Sequence, residues 1–181
     1  GGKDSTVVLH LLRQKFDGVI PLVVVNIDTL VKFPEIYRCR DKLHQLWGLD
    51  LRIFSNSEAA ARLDRYRDPF ECCHQLKTVP LAEAIGSLEL KALITGVRWD
   101  ELETRNSEDF FSLRDTPPHV RVQPILHFSE ADVWQYIKKH DVPYCQLYNQ
   151  GYRSLGCAPC TSLAIGPERR RGNVKSKEEI M

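Results

Sequence analysis

The chain has 181 residues, 43% of them hydrophobic and 27% charged, which predicts one globular domain with a sizeable core and excludes a disordered or fibrous chain. Its formal net charge is only +1, so affinity for an anionic partner has to come from local clusters of Lys and Arg, and composition gives no support for nucleic-acid binding. The longest apolar stretch, Val19 to Val25 with Pro21 inside it, is far short of the roughly 20 residues of a membrane-spanning helix, and no signal-peptide pattern opens the chain, so the cytoplasm is the predicted compartment.

In chain order, Gly1-Gly2-Lys3-Asp4-Ser5 stands directly ahead of a predicted helix, Thr6 to Gln14, with Val7, Val8, Leu11 and Leu12 at helical spacing. Close backbone approach, free amides and the positive end of a helix dipole favour a phosphate or pyrophosphate there, and Lys3 adds a mobile positive charge. The spacing is not that of a Walker loop. A plain amino-terminal turn is the competing reading, and the strand that leads into a phosphate loop is expected ahead of Gly1.

Val19 to Ile27 is a nearly continuous β-branched run, expected as a strand buried on both faces. Pro34 suits the first turn of a helix running to about Trp47, and Leu49 to Phe54 reads as the next strand. Glu71 to Leu88 is helical in pattern but must break or kink near Val79, because Pro80 lacks the amide that an inner turn requires. Lys91 to Arg98 and Val120 to Ile125 read as further strands. Ser129 and Asp132 form a capping box ahead of Val133, Tyr136 and Ile137, so a helix is predicted to about Lys139. The chain turns irregular after Pro143. Alternating strands and helices predict an α/β fold: an open, mostly parallel twisted sheet with helices on both faces and an irregular C-terminal segment, its ligands at the carboxyl ends of the strands. The expected division is a single domain over residues 1–166 and a basic tail over 167–181, in which Arg169-Arg170-Arg171 reads as a solvated face or as a cover over an anionic substrate.

Arginine's planar fork suits phosphate and sulfate oxygens, and Arg98 follows an apolar run at the strand end where α/β ligands bind. The competing reading pairs it with Asp100 and Glu101. Asp28 ends a buried strand, where a carboxylate needs a partner. Six cysteines are too few for a disulfide scaffold in a chain of this length. Four of them form two pairs, Cys72-Cys73 and Cys157-Ala-Pro-Cys160, which supply the thiolates that either zinc or a [4Fe-4S] cluster accepts; spacing alone does not choose. Adjacent cysteines on a helix point about 100° apart, easier around a larger cluster than in a zinc knuckle. Four unliganded buried cysteines are the structural alternative. Cys39 and Cys145 read as small core residues, and no HxxxH or HExxH spacing links the histidines.

These residues resemble a known family. Gly1 to Ser5 is similar to the end of the SGGKDS pyrophosphate loop of adenine-nucleotide α-hydrolases, and Asn26-Ile-Asp-Thr29 with Phe33-Pro-Glu35 is similar to the next motif of their sulfonucleotide reductase branch. Gly96-Val-Arg98 with Asp100, Thr104 and Arg105, then Gln123-Pro-Ile125, Leu147-Tyr148 and Gly151-Tyr-Arg-Ser-Leu-Gly156, continue the match in order. Adjacent cysteines with a Lys four residues on and a later CxPCT resemble the cluster-binding set of assimilatory adenylylsulfate reductases. The resemblance implies that Asp28 and Thr29 lie near the adenosine, and that Gly1, Gly2, Lys3, Asp4, Ser5, Arg98, Asp100, Arg105 and Arg153 line the substrate site. It implies a [4Fe-4S] cluster on Cys72, Cys73, Cys157 and Cys160, with Lys77 between cluster and substrate. The implied reaction reduces adenylylsulfate to sulfite and AMP with thioredoxin or a similar reductant, through a tail cysteine thiolate. The tail Lys175 to Met181 holds no cysteine; the family's nucleophile is expected at or beyond its end. Adenylyl or sulfur transfer from ATP and a non-catalytic nucleotide- and cluster-binding module are the alternatives. The sequence leaves the oligomeric state, a homo-oligomer included, open.

Overall fold

The structure is a computed structural model that describes residues 2–62 and 68–163. Gly1 and the basic tail, with Arg169 to Arg171, lie outside the described residues. The element order is α1 (Lys3–Lys15), β1 (Val23–Ile27), α2 (Pro34–Trp47), β2 (Asp50–Phe54), α3 (Ser57–Arg62), α4 (Pro69–Cys73), α5 (Val79–Ser87), β3 (Ala92–Ile94), β4 (Phe111–Asp115), β5 (Pro118–Val122) and α6 (Glu130–Lys139). Short 3-10 turns occupy Trp99–Glu101, Glu103–Ser107, Gln146–Gln150 and Ala158–Cys160.

The sheet is in two pieces. β1 pairs in parallel with β2, while β5 lies between β3, in parallel, and β4, antiparallel. Each of β1 and β3 thus carries one unpaired edge among the described residues. That edge explains why the run at Val23, expected to be buried on both faces, is only half-buried. The strands are also shorter than the apolar runs that signal them: Val19 and Leu22 stay outside β1, exposed.

One core unites Val7 and Val8 of α1, Leu43 and Trp47 of α2, and Val133 and Ile137 of α6, with Val24, Leu51 and Ile94 packed on it from β1, β2 and β3. α5 packs on β1 and β2 without joining that core, so helices cover both faces. Helix ends follow local chemistry. Pro34 opens α2, and Gly48 closes it in the left-handed region at φ 59°, its N–H donating to the His44 carbonyl. Ser129 and Asp132 close the expected box on α6: the Asp132 N–H donates to Ser129 Oγ at 3.1 Å and the Ser129 N–H to Asp132 Oδ2 at 2.8 Å.

The expected break before Pro80 takes the form of a π turn, His74–Thr78, between α4 and α5. Pro80 cannot donate to the Leu76 carbonyl and its ring would strike that carbonyl in α geometry. The wide turn avoids both, and the Val79 N–H reaches back five residues to the His74 carbonyl.

Candidate functional site

The helix begins at Lys3, not Thr6, so Lys3, Asp4 and Ser5 form its first turn rather than a loop ahead of it. The Thr6 N–H donates to the Gly2 carbonyl at 3.2 Å and closes that turn. First-turn amides have no acceptor within their own helix. That of Lys3 is taken by a distant side chain: it donates to the Tyr148 hydroxyl at 2.9 Å. The peptide joining Asp4 to Ser5 lies under Gly96, where an added Cβ would stand 2.9 Å from Asp4 C and from Ser5 N. Only glycine lets the chain leaving β3 pass this close to the helix start.

Lys3 is not mobile, as the sequence suggests, but buried. Its Nζ lies 3.4 Å from Asp4 Oδ2 and 3.6 Å from Glu130 Oε1, and donates to the Arg153 carbonyl at 3.3 Å. Arg98 is 4% exposed. Its Nε donates to Asp4 Oδ1 at 2.7 Å, and its Nη1 to Asp100 Oδ1 and, at 3.4 Å, to the Phe128 carbonyl. The expected pairing with Asp100 is present, but Arg98 is buried and stands four residues beyond the end of β3 rather than at it. Asp100 also caps α6 from outside, accepting the Glu130 N–H at 2.7 Å. Arg153 binds Glu130 through its Nε at 2.6 Å. Burial works to raise the Glu130 carboxyl, but the Arg153 hydrogen bond and the charges of Lys3, Arg153 and Arg98 outweigh it and hold the group below its usual range. Lys3, Asp4, Arg98, Asp100 and Arg153 thus meet at the adjoining amino termini of α1 and α6. Arg105 instead turns to Glu108, 3.2 Å away.

A second group forms where β1 ends. Asp28 Oδ1 accepts the Tyr37 hydroxyl at 2.9 Å and the Leu30 N–H at 2.8 Å, which holds Leu30 in the left-handed region at φ 60°. Arg40 lies 3.6 Å from Asp28 Oδ2. Thr29 is buried, and its hydroxyl accepts the Cys157 thiol at 3.2 Å. Lys32 bridges to Cys157 in antiparallel register, and the Ala158 N–H donates to the Val31 carbonyl at 2.7 Å.

Lys77, carried by the π turn, donates to Cys73 Sγ at 3.2 Å. Burial pulls its ammonium down, but the charges of Cys157, Cys73 and Cys160 and the Cys73 hydrogen bond outweigh it, and the net effect is upward. No three His, Cys, Asp or Glu side chains among the described residues converge on a single metal-ion position. Cys39 and Cys145 pack near Ile36, Leu147 and Tyr148, as small core residues do.

The segment from Tyr148 to Cys157 stitches the groups together, touching Lys3 at one end and Thr29 at the other. Sequence reasoning quoted Tyr148 without giving it a role and passed over Glu130, Tyr37, Lys32 and Glu108. Only Glu130 carried a local signal, as the first residue after the capping Ser129.

Fold and site together define a phosphate-loop α/β protein. The chain matches the family described as phosphoadenosine phosphosulfate reductase domain over residues 1–163, and it belongs to that family. It is 31% identical over 179 residues to adenosine 5'-phosphosulfate reductase of Anoxybacillus flavithermus, covering 94% of this chain and 74% of that one. Against the protein of the same name from Geobacillus thermodenitrificans it is 34% identical over 180 residues, with the same coverage, 94% and 74%. A crystal structure of phosphoadenylyl-sulfate reductase from Candida auris, a phosphate complex, superposes with a TM-score of 0.76 at 22% identity, covering 89% of this chain and 79% of that one. Candida glabrata FMN adenylyltransferase shares the fold with a TM-score of 0.69 at 21% identity, over 91% of this chain and 55% of that one. No helix among the described residues is long and apolar enough to cross a membrane.

Proposed function

We infer that the protein reduces adenylylsulfate to sulfite and AMP in sulfate assimilation, as an oxidoreductase acting on a sulfur group. The observation that carries this reading is that one segment, Tyr148 to Cys157, ties the start of α1 to the end of β1 through the Tyr148–Lys3 and Cys157–Thr29 contacts, while Lys77 donates to Cys73 of the other cysteine pair. Family and relatives agree with it.

The nucleotide's phosphate is held at the α1 amino terminus by the amides of Asp4 and Ser5, with Lys3 and Arg98 beside it. Those cations are already paired with Asp4, Asp100 and Glu130, so they are preset in position and need little reorganisation when charge develops on the leaving phosphate. Asp28 and Thr29 border the adenosine. A thiolate attacks the sulfate sulfur: the sulfur–thiol bond forms, the bond from sulfur to the phosphate oxygen breaks, and AMP leaves with that electron pair. Thioredoxin or a similar dithiol then supplies two electrons to the enzyme thiosulfonate and releases sulfite. The attacking thiolate is assigned to none of this chain's cysteines.

Cys72, Cys73, Cys157 and Cys160 would hold a [4Fe-4S] cluster, a group larger than one ion that takes four thiolates. When bound, it contributes electrostatics and placement next to the sulfate rather than electrons. Lys77, which donates to Cys73 Sγ at 3.2 Å, would lie between such a cluster and the substrate's negative charge.

The test uses the full-length protein, purified without oxygen, with adenylylsulfate and reduced thioredoxin. Stoichiometric sulfite and AMP are expected. Pyrophosphate release from ATP without sulfite would select adenylyl or sulfur transfer, and tight nucleotide binding with neither would select a non-catalytic module. Iron and acid-labile sulfide of about four each per chain are expected; stoichiometric zinc overturns the cluster assignment.

A further inference from the structure

Each of α1 and α6 presents two polar side chains four residues apart: His10 and Gln14 on α1, Tyr136 and the carboxyl cap His140 on α6. Residues at that spacing stand one above the other on a helix face, and here the two pairs meet across the seam between the helices. His10 Nδ1 lies 2.9 Å from the Tyr136 hydroxyl, that hydroxyl donates to Gln14 Oε1 at 2.9 Å, and Gln14 Nε2 lies 3.4 Å from His140 Nδ1. A hydroxyl has one hydrogen, and Tyr136 gives it to Gln14. His10 Nδ1 therefore carries the hydrogen of the first link, and His140 Nδ1 accepts that of the last. Every bond points from His10 towards His140.

Aromatic rings enclose this chain. The His10 and His140 centroids are 5.7 Å apart, those of Tyr136 and His140 4.4 Å, and Trp47 of α2 lies 6.0 Å from His10. Arg13 and Lys15 close α1, Lys138 and Lys139 close α6 with Asp141 just beyond, and His44 lies in the last turn of α2. Burial, then His140, then Arg13 push the His10 imidazole's pKa down, and no carboxylate among the described residues offsets them. The first proton is thus left to the other end of the chain. Burial raises the Tyr136 phenol, which keeps its hydrogen.

A proton on His140 Nδ1 turns that acceptor into a donor. The same heavy-atom positions then serve the opposite direction: the Gln14 amide turns over, offering Oε1 to His140 and Nε2–H to Tyr136, and the Tyr136 O–H points at His10 Nδ1. His10 Nδ1 gives its hydrogen to water while its Nε2 takes one from water, so the chain as a whole gains one proton. A second has no place, because a hydrogen returned to His10 Nδ1 would face that of Tyr136.

We propose that His10, Tyr136, Gln14 and His140 form a reversible proton relay across the α1–α6 seam, which admits one proton and keeps the helices in register until a second arrives. Tyr136 and Gln14 are positioning residues in it. α1 carries Lys3 and Asp4 into the anion site and α6 carries Glu130, so the register of the seam sets the spacing of that site. This last step rests on the nucleotide reading; the relay does not. Because the folded pKa of His10 lies below the unfolded one, the stability it contributes is full above the unfolded value and is lost as pH falls through the folded one.

The experiment takes the full-length protein from about pH 8 to about pH 4, across and below the ordinary histidine range, following the imidazole nitrogens by nitrogen–proton correlation spectra and AMP affinity by calorimetry. In the parent, the His10 hydrogen should pass from Nδ1 to Nε2 as His140 takes its proton. Tyr136→Phe keeps the ring, and Gln14→Ala changes an exposed residue; each cuts the chain and should abolish that exchange. His10 should then charge about one pH unit higher, the scale of one neutral hydrogen bond. AMP affinity should fall at least about fivefold in step with the charging of His10, the low end of ordinary coupling between sites, and the fall should move up with it in both variants. A His10 that keeps one tautomer throughout overturns the relay, as does an exchange that persists in both variants. AMP affinity that ignores the charging of His10 in all three proteins overturns the positioning role. Failure of all three to bind AMP at neutral pH counts against the nucleotide reading instead, and the spectra still decide the relay.

Discussion

The Tyr148 hydroxyl accepts the Lys3 backbone N–H at 2.9 Å, across 145 residues of chain. Burial raises the phenol's pKa well above its ordinary value, so the group stays neutral. The Lys3 ammonium lies 5.5 Å from the same ring's centroid. Tyr148→Phe keeps the ring and leaves a buried amide unpaired. A loss of about 1 to 3 kcal/mol in unfolding free energy is expected, read by urea denaturation, together with weaker AMP binding by calorimetry. Unchanged affinity would show that the start of α1 does not need this tie.

Gly96→Ala places a Cβ 2.9 Å from backbone atoms of Asp4 and Ser5. Backbone cannot swing away as a side chain can, so the helix start must shift. AMP affinity should fall more than tenfold at a site held to tolerances below an ångström. Gly86→Ala, whose added Cβ meets nothing within 4 Å, is the control and should bind as the parent does.

Arg98→Ala strips Asp4 and Asp100 of their shared cation. Because those carboxylates keep some contact with water, at 16% and 40% side-chain exposure, the cost in stability should be about 1 to 3 kcal/mol rather than that of a fully buried pair. AMP affinity should fall as well. Arg98→Lys keeps the charge but not the fork and should recover only part of either loss.

Glu130 gives a pH dependence with a fixed sign. Its folded pKa lies below the unfolded value, so its ion pairs contribute stability that is fully present above the unfolded pKa and is lost as pH falls through the folded one. The difference in thermal midpoint between the parent and Glu130→Gln should be largest near neutrality and close towards pH 3, below the usual carboxylate range. A difference that grows in acid would refute the assignment.

Features set by neighbouring residues were legible in the sequence: the Ser129–Asp132 box, Pro34 at the start of α2, the interruption before Pro80. Arg98 was legible in its pairing with Asp100 but not in its pairing with Asp4, which is 94 residues away. The burial of Lys3 is not legible for the same reason, since Tyr148, Glu130 and the Arg153 carbonyl come from the far end of the chain. β4 was missed because its pattern is inverted. Phe111 and Leu113 are 70% and 80% exposed, while the polar Ser112 and Arg114 between and after them are half-buried. Burial of a polar face depends on the tertiary neighbours that receive it, and no local rule reports them.

The wide turn at His74–Thr78 fits one surplus residue between α4 and α5. Compared with uninterrupted α winding, the portion ahead of it is spun by about 100° around the common axis. The thiols of Cys72 and Cys73 and the apolar side of α5, with Ala84 and Ile85, are therefore phased independently. Sulfur can be dialled toward Cys157 and Cys160 while the downstream helix keeps its seat on β1 and β2, an adjustment that ordinary winding ties to a single angle.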